Sequence, residues 1–275
     1  MSYLTEKEIT EYRNIAKQIR RAILNMIYRT KSPHIGSSLS MVEILVALYF
    51  RILSIDPKKS NDPNRDRFVL SKGHGCPALY ATLAQRGFFS KDVLDRFAVD
   101  NGSLEQHPTR DISLGIEISS GSLGHGLSLG AGMAIAAKYD RYSYRVFVFL
   151  GDGELDEGSN WETIMFAAHH ELDNLVAIVD YNKLQILGRT SEVLNLEPLA
   201  DKWRSFGWAV REIDGHDFKQ IIETLEKTPF LSRKPSVVIA HTVKGRGISF
   251  MEDKLCWHDK YPDEEEYKKA LAELG

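Results

Sequence analysis

The chain has 275 residues, 43% of them hydrophobic and 27% charged, enough for one large globular domain or two small ones. Its 35 basic and 38 acidic residues leave a formal charge of −3, which argues against nucleic acid as the main partner, because that would favour a basic face. No apolar stretch is long enough to span a membrane, no signal peptide opens the chain, and Cys76 and Cys256 are too few for a disulfide framework, so a cytoplasmic protein is expected.

In chain order, Ile9, Tyr12, Ile15, Ile19, Ile23 and Ile27 recur at three- and four-residue steps. This predicts a long amphipathic helix over 5–30, with Thr5 and Glu8 as its capping box. Pro33 and Gly36 mark a loop carrying His34, which by itself reads as a surface loop histidine. Ser40 is expected to cap a buried helix over 41–52, apolar nearly all round. After a polar loop, a short strand over 67–71 ends in Ser71-Lys72-Gly73-His74-Gly75, and a helix begins near Pro77. His74 there is either a structural turn residue or a donor to a phosphate held at that helix N-terminus. A helix is expected over 91–99, followed by a loop with Gln106-His107-Pro108, where His107 again reads as a loop histidine. Ser119 to Gly126 reads SSGSLGHG and precedes a helix over 127–139 whose alanines and glycines permit close packing.

The apolar run Val146 to Leu150 ends abruptly in Gly151-Asp152-Gly153. A helix over 160–170 follows, closing on His169-His170, a pair suited to a helix C-terminus. A second apolar run, Leu175 to Val179, ends in Asp180-Tyr181-Asn182. This is a right-handed crossover in a parallel sheet, with both polar ends at the carboxyl edge where such sheets bind ligands. Asp152 offers a carboxylate, Asn182 an amide oxygen, and a carbonyl just beyond, such as that of Leu184, completes one face of a site for a hard cation. Gly151 and Gly153 let a phosphate approach the backbone. A chance Gly-Asp-Gly turn is the alternative, and the oxygen donor one crossover away favours the site. Beyond lie a loop at 188–192, a helix over 196–206, a strand over 208–213, a helix over 218–227 and a strand over 237–241. A glycine-rich turn with Lys244 follows, then Cys256-Trp257-His258, where the histidine is either packed or functional, and a closing helix over 263–274. The alternation predicts an α/β fold with a parallel sheet flanked by helices.

The Gly-Asp-Gly motif, with an Asn signal some two dozen residues later, resembles the thiamine diphosphate motif, Tyr181-Asn182 standing where two consecutive polar residues are usual. The likeness is to the amino-terminal, diphosphate-binding part of transketolases and covers nearly the whole chain. It implies one thiamine diphosphate-binding domain over 1–275. It further implies that Asp152, Asn182 and the Leu184 carbonyl hold Mg2+ (or Ca2+ or Mn2+) on the diphosphate. His74, Gly121, Ser122, Leu123, Gly153 and Lys244 would position the cofactor. His34, His107 and His258 would line the substrate channel with near-neutral pKa, His258 also touching the diphosphate, and Glu157 would lie at the subunit interface. The chain departs from the family pattern at Ile35 (for Pro), Gln106 (for Gly), Thr109 (for Glu), Ser122 (for Pro) and His125 (for Gln). His125 either lines the site or satisfies a local hydrogen bond.

In the family, a Glu on a second, pyrimidine-binding domain activates the cofactor. No such domain fits after the diphosphate domain here. The resemblance therefore implies one half of a split transketolase, active with a separate C-terminal subunit in an α2β2 assembly, or as a homodimer of this chain. It would move a two-carbon ketol unit from a ketose phosphate to an aldose phosphate, in the pentose phosphate pathway. The rivals are a 2-oxo acid dehydrogenase component, a deoxyxylulose phosphate synthase-like enzyme and a non-catalytic remnant. The histidine set speaks for transketolase, and intact Asp152 and Asn182 speak against decay.

Overall fold

The structure is a computed structural model and describes residues 4–275. Five strands, β1 (Arg67–Leu70), β2 (Val146–Gly151), β3 (Leu175–Tyr181), β4 (Ala209–Asp214) and β5 (Ser236–His241), form one sheet in the order β1-β2-β3-β5-β4. Every neighbouring pair is parallel. β3 is buried along its whole length, as a central parallel strand covered on both faces must be. Because side chains alternate across a strand, the same runs feed two cores. Phe147, Phe149, Val176, Ile178 and Val238 face one; Val146, Val148, Leu150, Leu175, Val179 and Ile239 face the other.

The first core is closed by α1 (Glu6–Thr30), α2 (Ile35–Leu39), α3 (Val42–Ala47) and α4 (Cys76–Arg86). The second is closed by α5 (Gly126–Tyr139), α6 (Gly158–His169) and, beyond the helical turn α7 (Thr190–Val193), α8 (Leu199–Ser205). The first face also carries α9 (Phe218–Leu225) and α10 (Glu264–Leu274). The expected capping box is present on α1, with Thr5 and Glu8 each bonded to the other's backbone. No helix among the described residues is long and apolar enough to cross a membrane.

Several expectations need correction. The helix expected over 41–52 is broken: α2 already turns over Ile35–Leu39, α3 ends at Ala47, and Leu48–Ile52 is a π-helical turn. Ser40 caps nothing; its hydroxyl donates to Asp180 on β3 at 2.6 Å, a partner that only tertiary folding supplies. The 91–99 helix is a shorter 3-10 stretch, Lys91–Arg96. The loop expected at 188–192 contains α7, and the helix expected from 196 begins only at Leu199, after Pro198.

Register brings the loops together. Gly151 pairs with Asp180, so the residues that follow each leave the sheet side by side. Leu70 opposite Phe149 delivers the 71–75 loop on one flank, and Tyr181 opposite His241 delivers the 242–247 turn on the other.

Candidate cofactor and substrate site

At this carboxyl edge lies a cavity of about 250 Å3. His34, His74, His107, His258, Gly121, Leu123, Asp152, Gly153, Asn182, Leu184 and Lys244 all line it, drawn from segments more than 200 positions apart in the chain. Ser122 does not: it is exposed, and its neighbours Gly121 and Leu123 form that part of the wall. His125 is exposed at the start of α5 and also lies off the wall of this cavity. Glu157 is exposed at the N-terminus of α6.

The candidate cation end is built from the two strand ends. Asp152 is buried, with Oδ1 accepting from the Gly153 N–H at 2.8 Å and Oδ2 from the Lys183 N–H. Lys183 sits in the left-handed region (φ 67°), turning the chain so that Asn182 and Leu184 flank the carboxylate. Asn182 Oδ1 accepts from the Leu184 N–H at 3.1 Å, and the Leu184 carbonyl accepts from Lys244 Nζ at 2.9 Å. Burial, then the neighbouring Asp180, pushes the Asp152 carboxyl up to about 7 even though two amides oppose the shift. Lys72 also opposes the shift but does not offset the burial. With an amide oxygen and a backbone carbonyl beside the carboxylate, the set has the hard-oxygen chemistry that Mg2+ or Ca2+ takes. The residues fit a divalent ion.

Beneath them is a network that sequence reading misses. Asp180, fully buried, accepts from Lys72 Nζ at 2.5 Å, from Ser40 at 2.6 Å and from Thr242. Burial would raise its pKa, but Lys72 and these hydrogen bonds win and hold it below the usual carboxylate range. Lys72 Nζ also donates to the Ser37 carbonyl at 3.0 Å. Glu154, pushed up by burial, accepts from Ser71 Oγ at 2.5 Å, the Gly124 N–H at 3.0 Å and the Gly151 N–H at 3.2 Å, tying the 71–75 and 121–124 loops to the end of β2. The signal that could find it is a charged residue at or just past the end of three separate strands.

The four histidines form one cluster. The His34 ring centroid lies 5.2 Å from that of His74, 6.2 Å from His107 and 5.4 Å from His258. His34 adopts φ 76°, and its N–H donates to the His258 carbonyl at 2.8 Å. Gly36 allows this approach: a Cβ there would come within 2.9 Å of the Trp257 carbonyl oxygen. Cys76 packs behind, its thiol donating to the Gln106 carbonyl at 3.0 Å beside His107. Near-neutral titration is not what His34, His74 and His258 show. Burial, then His107, lowers His34 to about 4; burial, then Lys244, lowers His258 to about 3; burial, then Lys72, takes His74 well below its ordinary value. These three are neutral imidazoles at physiological pH. Lys244 is itself lowered to about 8, by burial and then Lys72, and lies 2.7 Å from His258 Nδ1.

Residues 11–275 match the family described as transketolase, thiamine diphosphate binding domain. An apulose-4-phosphate transketolase subunit of Phocaeicola vulgatus is 45% identical over 256 residues, covering 93% of this chain and 91% of that protein. The 6-deoxy-6-sulfo-D-fructose transketolase subunit SqwG of a Clostridium species is 45% identical over 271 residues, 98% of each chain. Human transketolase is 36% identical over 256 residues, 93% of this chain but 40% of that one. The structure of transketolase from Leishmania mexicana superposes with a TM-score of 0.88 at 28% identity, covering 96% of this chain and 41% of that chain. The chain thus spans about two fifths of full-length transketolases and nearly all of the subunit-length relatives. It belongs to the transketolase family, as the thiamine diphosphate-binding subunit of a transferase that uses this cofactor with a divalent metal ion.

Proposed function

We propose that this chain works with a separate, pyrimidine-binding polypeptide, in an α2β2 assembly, to transfer a two-carbon ketol unit between sugar phosphates in the cytoplasm, with Mg2+ as the resident metal. The observation that carries the reading is the single cavity in which the Asp152–Asn182–Leu184 oxygens and four histidines meet. Asp152, Asn182 and the Leu184 carbonyl would hold the cation, and the cation with Lys244 and His74 the diphosphate. Thiamine diphosphate, when bound, supplies the carbanion chemistry. This chain's residues bind and orient. His34 and His258 present neutral N–H and lone-pair groups to the hydroxyls and carbonyl of the sugar, where they steady developing oxyanions without adding a competing fixed charge, and His107 lines the same channel. Gly121 and Leu123 would support the middle of the cofactor.

The two subunit-length relatives are named for apulose-4-phosphate and 6-deoxy-6-sulfo-D-fructose. A ketose with an anionic tail is therefore the donor class we assign here, pentose phosphates among its members, with the tail read mainly by the partner. The test is reconstitution. The chain is purified with the protein encoded beside its gene and assayed with thiamine diphosphate and Mg2+ against a panel of ketose phosphates and sulfonated ketoses. Ketol transfer is expected only when both chains are present. Full transfer by this chain alone would overturn the two-chain assembly; no transfer from any member of the panel would overturn the transketolase assignment in favour of a remnant or a 2-oxo acid enzyme.

A further inference from the structure

Behind the cavity wall lies a second buried polar cluster: Arg20 on α1, Glu43 on α3 and His216 in the loop after β4. Arg20 Nη2 donates to both Glu43 oxygens, at 2.7 and 2.8 Å, with both residues buried. Burial alone would raise the Glu43 carboxyl, but Arg20 and then His216 hold it down to about 2. Val243 donates its N–H to His216 Nε2 at 2.8 Å. That bond makes Nε2 the acceptor, so Nδ1 carries the proton and donates to Glu43 Oε2 at 3.1 Å. Arg20 Nε meanwhile donates to the Arg246 carbonyl at 2.9 Å. The cluster therefore grips the 243–246 turn at both ends, and Lys244 hangs between the two grips.

Within the turn itself, the Gly245 N–H donates to the Gly36 carbonyl at 3.0 Å and the Lys244 carbonyl accepts from the Asp253 N–H at 2.9 Å, so the cluster adds side-chain anchors on both flanks. The turn belongs to no regular element, and Gly245 sits at φ 81° against the Met251 carbonyl. A buried ion pair adds little to stability over an apolar replacement, so its net contribution is better sought in geometry. We propose that Arg20, Glu43 and His216 are positioning residues, a clamp that sets how far the Lys244 ammonium reaches into the diphosphate subsite. This rests on reading Lys244 as a diphosphate ligand. None of the three lines the cavity; they act through the backbone on either side of Lys244.

The test is calorimetric titration of the two-chain complex with thiamine diphosphate at saturating Mg2+, alongside thermal melts. His216→Asn keeps a donor near the Nδ1 position for Glu43 but removes the acceptor for Val243; His216→Gln keeps an acceptor near Nε2. Lys244→Met and His216→Asn are each expected to weaken cofactor binding about tenfold, with His216→Gln within about threefold of wild type. The double variant His216→Asn/Lys244→Met is expected to bind no more weakly than Lys244→Met alone, because both lose the same contact. Wild-type affinity in His216→Asn, with Lys244→Met impaired, would overturn the clamp alone. Additive losses, or equal losses in both His216 variants tracking a lower melting temperature, would make the cluster a fold element and overturn it too. Unchanged affinity in Lys244→Met would overturn the reading of Lys244 itself, a result distinct from failure of the clamp.

Discussion

Asp152→Asn tests the cation end most directly. In the metal-free protein, burial and Asp180 push the Asp152 carboxyl from 3.8 up to about 7. The folded chain thus holds this proton more tightly than the unfolded chain. The stability it contributes is complete below about pH 4 and is lost as pH rises through about 7. At about 1.4 kcal/mol per tenfold change, the total is about 4 kcal/mol at most, of which about 3 kcal/mol falls between pH 5 and pH 8. Asparagine keeps the shape and removes the charge. The stability gap between Asp152→Asn and wild type should therefore swing by about 3 kcal/mol in the variant's favour over that range, roughly 6–12 °C in melting temperature. Mg2+ with thiamine diphosphate supplies a countercharge, so it should raise the wild-type melting temperature more at pH 8 than at pH 5, and raise that of the variant little. Melts at four pH values, with and without the pair, read both effects. A gap that stays flat from pH 5 to pH 8, or equal stabilisation of both proteins by the pair, would refute the argument that Asp152 is a buried carboxylate awaiting a cation.

Asp180→Asn strands Lys72, 1% exposed, without its carboxylate, and should cost about 3–5 kcal/mol in denaturant unfolding. Asp180→Asn with Lys72→Met should recover most of that loss, and failure to recover would mean that Ser40 and Thr242, not Lys72, are the partners that matter. Gly36→Ala puts a Cβ within 2.9 Å of the Trp257 carbonyl and 3.1 Å of Lys244 Cγ, displacing the segment that carries His258. Ketol transfer should fall at least about tenfold, since misplacement of about 1 Å is enough for such a loss, and because the clash is with backbone a lower melting temperature should accompany it. Wild-type activity in that variant would show that the His34–His258 juxtaposition is not required.

Much of the site can be read before folding is considered because its chemistry sits at strand ends. Val146 to Leu150 and Leu175 to Val179 are apolar throughout, as strands buried on both faces are, so the polar residues after them mark the carboxyl edge without knowledge of the sheet order. Ser122 is expected on the wall through the company it keeps in a family loop, yet a loop can present one residue inward and turn the next out, as Gly121 and Ser122 do. Ser40 has the pattern of a cap because a serine before an apolar run usually is one; the competing acceptor, Asp180, lies 140 positions away. The neutral state of His34, His74 and His258 has no sequence signal, because it arises from mutual burial beside Lys72 and Lys244.

Sequence alone determined the α/β class, the long capped first helix, and the pair of oxygen-bearing loops, since periodicity, capping and strand-end polarity are properties of neighbouring residues. The tertiary structure decided which side chains share one cavity, which carboxylate pairs with Lys72, and how Arg20, Glu43 and His216 come to hold a turn more than 200 positions from Arg20. Electrostatic energies depend on distance and burial, and both are set by which strands lie side by side rather than by order along the chain.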